Sequence, residues 1–191
     1  LRTLAHVLAA ESAQALQDRA ARDEHLQLAL DQGPAQETHE GALMRAARWS
    51  LEDREPQAAM GWLQGLPSGA ARRTLALRMK LKAARLARHT AEALDTARLL
   101  AKHRAFSPPA AASLVRRLAV DLLNGAHDPA QLQKAWLTLE PAERAMPELA
   151  IHAAQRLVAL GGEAEMARDW LLPAWERQHE LGDSLKIRLV G

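Results

Sequence analysis

Apolar residues recur along this chain at intervals of three and four, in short runs closed by glycine, proline or a capping residue. That is the pattern of amphipathic helices joined by tight turns. The runs predict helices over 2–17, 19–32, 37–52, 56–66, 70–88, 90–104, 108–124, 129–139, 147–161 and 163–178. Breaks fall at Gly33 and Pro34, Pro56, Leu66 to Gly69, Ser107 to Pro109, Asp128 and Pro129, Glu140 and Pro141, Met146 and Pro147, and Gly161 with Gly162. Proline suits the first helical turn because its missing N–H would have no partner there, and Thr90 reads as an N-cap. The pairs Glu140 with Glu143 and Glu163 with Glu165 fall in first turns, where negative charge is stabilised, so they read as caps and not as acid/base pairs. Short helices linked this closely fold back as antiparallel hairpins.

The hairpins repeat. Ala59, Leu63 and Leu66 share their spacing with Ala93, Ala97 and Leu100, 34 residues on, and with Ala167, Leu171 and Ala174 two further repeats along. Leu132, Trp136 and Leu139 carry the same stripe in a looser unit, and Leu26 and Ala29 carry it in the first. Small residues at these points let paired helices approach closely without voids. Each hairpin then keeps a second apolar face that only a neighbour can cover, so the expected fold is an all-α, right-handed superhelical solenoid of about five tetratricopeptide-like hairpins, filling 1–191 as a single domain.

Composition agrees with helix. The chain has 41 Ala and 33 Leu but only 5 Val, 2 Ile, one Phe and no Tyr, so the residues that favour pleated sheet are scarce. With no cysteine, thiol catalysis and cysteine-based zinc sites are excluded. The net charge of +2 is small for a nucleic-acid protein, and no apolar run is long enough to span a bilayer. The chain opens at Leu1 within a helical pattern, which reads as a piece of a longer protein.

Three stretches resemble the tetratricopeptide region of proteobacterial HemY: residues 4–30, 72–115 and, above all, 132–172. The most specific part runs from Trp136 to Pro147, a helix ending in Trp-Leu-x-x-Leu, a proline-started turn, then Pro-Glu-Leu opening the next helix. The closing segment 185–191 is similar to the family's Leu-x-x-Leu-Tyr-Gly ending, with Val190 in place of Tyr. These are packing motifs. The resemblance implies a bacterial inner-membrane protein anchored by two preceding spans, with its repeat domain in the cytoplasm and a link to late haem biosynthesis. The flavin-dependent oxidase that shares the HemY name would need a Gly-x-Gly-x-x-Gly turn after a strand, and this chain has neither.

No catalytic signature emerges. Gly-x-Ser-x-Gly and phosphate-loop patterns are missing, and the eight histidines form no HxxH or HxxxH pair, so neither enzyme activity nor a metal or cofactor is expected. His103, His127 and His152 are the histidines placed to face a pocket if haem were bound, although a histidine near a helix end is also favoured simply by the dipole. Trp136 and Trp170 read as core, Trp49 and Trp62 as packing between repeats, and Trp175 as closing the last hairpin or facing solvent.

One pattern points to binding. Aligned on the repeat phase, the inward positions of the first helices hold Arg48 in the second hairpin, Arg78, Lys82 and Arg85 in the third, and His152 and Arg156 in the fifth. Cations sharing one helical face repel each other unless an anionic group lies between them. The expected partners are other proteins, haem-pathway enzymes on the strength of the resemblance, bound through acidic segments or a terminal carboxylate; the alternative is a porphyrin held by its propionates. The stripe is similar to carboxylate-clamp repeats only in part, since Ala, Gln and Met stand where those clamps carry Lys and Asn.

Overall fold

The structure, a computed structural model, describes residues 2–31, 36–176, 182, 183, 186 and 187. Those residues form an all-α arrangement of twelve helices. In chain order they are α1 (Arg2–Ala15), α2 (Arg19–Asp31), α3 (Gln36–Glu52), α4 (Pro56–Gln64), α5 (Ser68–Ala71), α6 (Thr74–Leu86), α7 (Thr90–Lys102), α8 (Pro108–Asn124), α9 (Pro129–Thr138), α10 (Pro141–Arg144), α11 (Pro147–Ala159) and α12 (Ala164–Glu176). Ten of them pair as five sequential hairpins: α1 with α2, α3 with α4, α6 with α7, α8 with α9, and α11 with α12. The chain divides into two compact units, 1–106 and 107–191.

The stripes that predicted the hairpins are the buried ones. Ala59, Ala93, Ala97, Leu100, Leu132, Trp136 and Ala174 are all buried, and Leu171 is half-buried. Proline occupies the first turn of α4, α8, α9, α10 and α11, where it interrupts no hydrogen bond. Asp128 caps α9, its carboxylate accepting the Gln131 N–H at 2.8 Å. Glu143 accepts the Glu140 N–H at 2.9 Å, one half of a capping box that opens α10.

Three elements differ from the sequence expectation, one of them α10, a single helical turn where only a break was expected. The single helix over 70–88 is broken into α5 and α6 by Arg73, which adopts an extended conformation (φ −66°, ψ 143°) and starts α6 afresh. No glycine or proline separates Ala71 from Thr74, so nothing local marked the break. Thr90 is the first residue of α7 and not its cap; His89 takes the capping position without a side-chain bond.

One turn recurs. At Gln17, Arg54, Arg88, Arg104 and Gly161 the chain enters the left-handed region, with φ between 54° and 80°. Each time a 6→1 and a 5→2 backbone bond close the helix, for example His89 N to Ala84 O at 2.9 Å with Arg88 N to Arg85 O at 3.2 Å. These are Schellman ends, and four of them close first helices of hairpins, α1, α3, α6 and α11.

In the first unit, α3 supplies apolar residues to two cores. Ala42, Ala46 and Trp49 pack with Val7, Ala10, Leu26 and Ala29 of the first hairpin. Leu43, Ala47 and Leu51 pack with Ala59 and Leu63 of α4 and with Ala76, Met79 and Ala83 of α6. Leu30 and Trp62 border both clusters. In the second unit, Trp136 of α9 stacks on Trp170 of α12, ring centroids 4.9 Å apart at 24°, and α11 packs against α8 and α9.

Candidate functional site

Helix α6 is sharply two-sided. Ala76, Leu77, Met79, Ala83 and Ala84 are buried, while Arg78, Lys82 and Arg85 are exposed along the opposite face. These three cations, with Leu81, Leu86 and Phe106, line an open depression of about 440 Å³ in the first unit. Among the described residues no carboxylate pairs with any of the three. Arg78 is also a strut: its Nη2 donates to the Ala105 carbonyl at 2.8 Å, and its guanidinium lies 5.4 Å from the centre of the Phe106 ring. That contact fixes the chain leaving α7 and shapes the apolar end of the depression.

The other predicted residues lie elsewhere. Arg48 is exposed on α3, 3.7 Å from Glu52 one turn on, and does not line the α6 depression. Arg156 on α11 closes the end of α8: its Nε donates to Leu123 O at 3.0 Å and its Nη2 to Asn124 O at 2.8 Å and Ala126 O at 2.6 Å. These carbonyls lie at and just beyond the end of α8, where the Leu123 carbonyl also accepts the Ala126 N–H at 3.2 Å, and the guanidinium adds a C-terminal cap supplied from a neighbouring hairpin. His152, one turn earlier, brings its Nε2 to 2.8 Å from Asn124 Oδ1.

His152 also lines a second basic depression, about 420 Å³, with Ser113, Arg116, Arg117, Val120 and Glu148 in the second unit. Arg116 reaches Glu148 at 3.3 Å. The sequence reading missed Arg116 and Arg117 because it phased the fourth hairpin on its second helix alone. Carrying the first-helix phase through α8 would have found them.

His103 caps the end of α7 in an exposed position, and His127 is exposed just before α9. Trp49 is buried and Trp62 half-buried between the two cores of the first unit, while Trp175 is exposed.

A further charged group is structural. Arg22 on α2 is buried, with hydrogen bonds to Asp23 at 2.7 Å, Gln14 at 2.8 Å and Asp53 at 2.8 Å, and lies 5.9 Å from the Trp49 ring centre. Burial works against its charge, yet the hydrogen bonds and charges of Asp23 and Asp53 prevail and hold its pKa above the usual arginine value.

Comparison with protein families, with curated proteins and with solved structures finds no match. No helix among the described residues is long and apolar enough to cross a membrane.

Proposed function

We propose that this chain is a non-catalytic interaction module, a tetratricopeptide-like stack of about five hairpins that binds an acidic peptide segment or terminal carboxylate along a first-helix face. One observation carries the reading: Arg78, Lys82 and Arg85 share a depression with Leu81, Leu86 and Phe106 and have no carboxylate partner among the described residues. Like charges one turn apart cost a helix about 0.2–0.5 kcal/mol per pair, a cost that a bound anion reverses. The leucines and Phe106 add a place for an apolar side chain beside the acid. Arg48, beside Glu52, and His152 with Arg116, beside Glu148, are further basic groups on other hairpins. Following the resemblance to HemY, the module sits on the cytoplasmic side of a bacterial inner membrane and docks proteins of late haem synthesis.

Fluorescence anisotropy with a labelled peptide of acidic residues and a free C-terminus tests this. Lys82→Glu with Arg85→Glu is the appropriate variant, because Arg78 also holds the chain at Ala105. The expected result is binding weakened about 10–100-fold, roughly 1.4–2.8 kcal/mol, with unchanged helical circular dichroism. Equal affinity in variant and parent removes the α6 face from the proposal.

The apolar wall supports a second reading, a porphyrin carrier whose ring lies on Phe106 and the leucines with its propionates on the cations. Protohaem titration separates the two: a Soret shift lost in the same variant supports the carrier, and an unmoved band rejects it.

A further inference from the structure

Every histidine pair close in sequence lacks metal-chelating spacing, but hairpin pairing brings together two that are nineteen residues apart. His6 on α1 and His25 on α2 face each other with their Nδ1 atoms 3.4 Å apart. Their ring centroids are 5.6 Å apart, with the planes inclined at 34°. Both rings are half-buried at the flank of the first core, next to Val7 and Leu26 in their respective helices. Neither ring nitrogen pair is engaged by another described side chain.

We propose that His6 and His25 form a binding site for a divalent late first-row transition metal, zinc being the ordinary case, which clips α1 to α2. The separation argues for it. At 3.4 Å, a direct N–H···N bond is stretched beyond its usual length. An ion about 2.05 Å from both nitrogens, the ordinary zinc–imidazole distance, would subtend an N–metal–N angle of about 110°, close to tetrahedral. Imidazole nitrogen is the donor that zinc, copper and nickel take in preference to the carboxylate-loving magnesium and calcium. Among the described residues no third histidine, aspartate or glutamate joins the pair, so two positions on the ion stay open for water or for a donor from a bound partner.

The site is independent of the α6 face, and its test is too. Zinc chloride is titrated into the full chain in a non-chelating buffer, with heat and the long-range 1H–15N spectrum of the imidazoles as readouts. One equivalent is expected to bind, with the Nδ1 resonances of His6 and His25 moving together. His6→Gln and His25→Gln should each weaken binding at least tenfold, while His127→Gln, at an exposed position, leaves it unchanged. Zinc binding that survives both substitutions, or Nδ1 resonances of His6 and His25 that stay in place at millimolar zinc, overturns the proposal. The spectral readout uses the unaltered chain, so it decides the matter even where a variant folds poorly.

Discussion

Arg22 Nη1 and Asp53 Oδ2 meet at 2.8 Å in a buried position, joining the second helix to the residue that follows the third. Asp53 also receives Arg19 at 2.9 Å, so one carboxylate holds two cations of α2. Gln14 reaches the same guanidinium from α1. Three consecutive helices therefore converge on a single ionic cluster beside Trp49.

Removing one member of that cluster leaves its largely buried partner with less compensation. Arg22→Met, which keeps the stem over Trp49, is expected to cost about 2–4 kcal/mol in urea unfolding, at the lower side of the range for broken buried pairs because Arg19 remains on Asp53. Adding Asp53→Leu to Arg22→Met should recover part of the loss. A single variant as stable as the parent would show that the cluster contributes no net stability.

The left-handed turns lead to an opposite expectation. Arg88 is exposed, its φ is 59°, and no hydrogen bond or ion pair of its side chain is present among the described residues. Arg88→Gly should raise stability by about 0.5–1 kcal/mol, the relief of left-handed strain being partly offset by a freer unfolded chain. The midpoint of chemical denaturation checks the sign.

Gly161 and Gly162 do different things in the turn after α11. Gly161 has φ of +80° with open space around it, so Gly161→Ala meets only backbone strain, about 1 kcal/mol. At Gly162 a Cβ would collide with Leu157 Cδ1 and come 3.0 Å from its carbonyl oxygen, and Leu157 is fully buried. Gly162→Ala should therefore cost more, about 2–3 kcal/mol. Thermal melts of the two alanine variants side by side would reveal a reversed order.

Arg156 predicts a loss of its own. Arg156→Met removes the guanidinium from the carbonyls of Asn124 and Ala126, and from that of Leu123, which keeps the Ala126 N–H, and should destabilise the second unit by about 1–3 kcal/mol. Lysine has one donor nitrogen where arginine uses both Nε and Nη2, so Arg156→Lys should restore only a fraction. Hydrogen exchange at the end of α8 reports the effect locally; protection equal to the parent's would count against the cap.

Helix positions were legible because the chain marks them chemically. Alanine and leucine set the 3.6-residue period, and Pro56, Pro108, Pro129 and Pro147 mark helix starts at nearly the residues where the structure has them. Arg73 was illegible because arginine has no strong preference against helix, and the break there depends on how α5 and α6 pack. The α6 cations could be read from one helix, since a face is a local property. The role of Arg156 could not, because its acceptors belong to α8, and the His6 and His25 pair depends on the register of a hairpin. Sequence spacing shows neighbours within one helix and leaves neighbours across a turn to the fold.

Among the described residues, Leu30 and Trp62 border both cores of the first unit. Two adjacent cores melt together only as far as the groups they share couple them, and here α3 and these two side chains are shared. Trp62 is thus a cooperativity residue as well as a packing one. Its truncation to alanine would let the first hairpin fray ahead of α3 to α7, turning a single transition into two and exposing the first-hairpin face of α3 while the α6 groove stays folded.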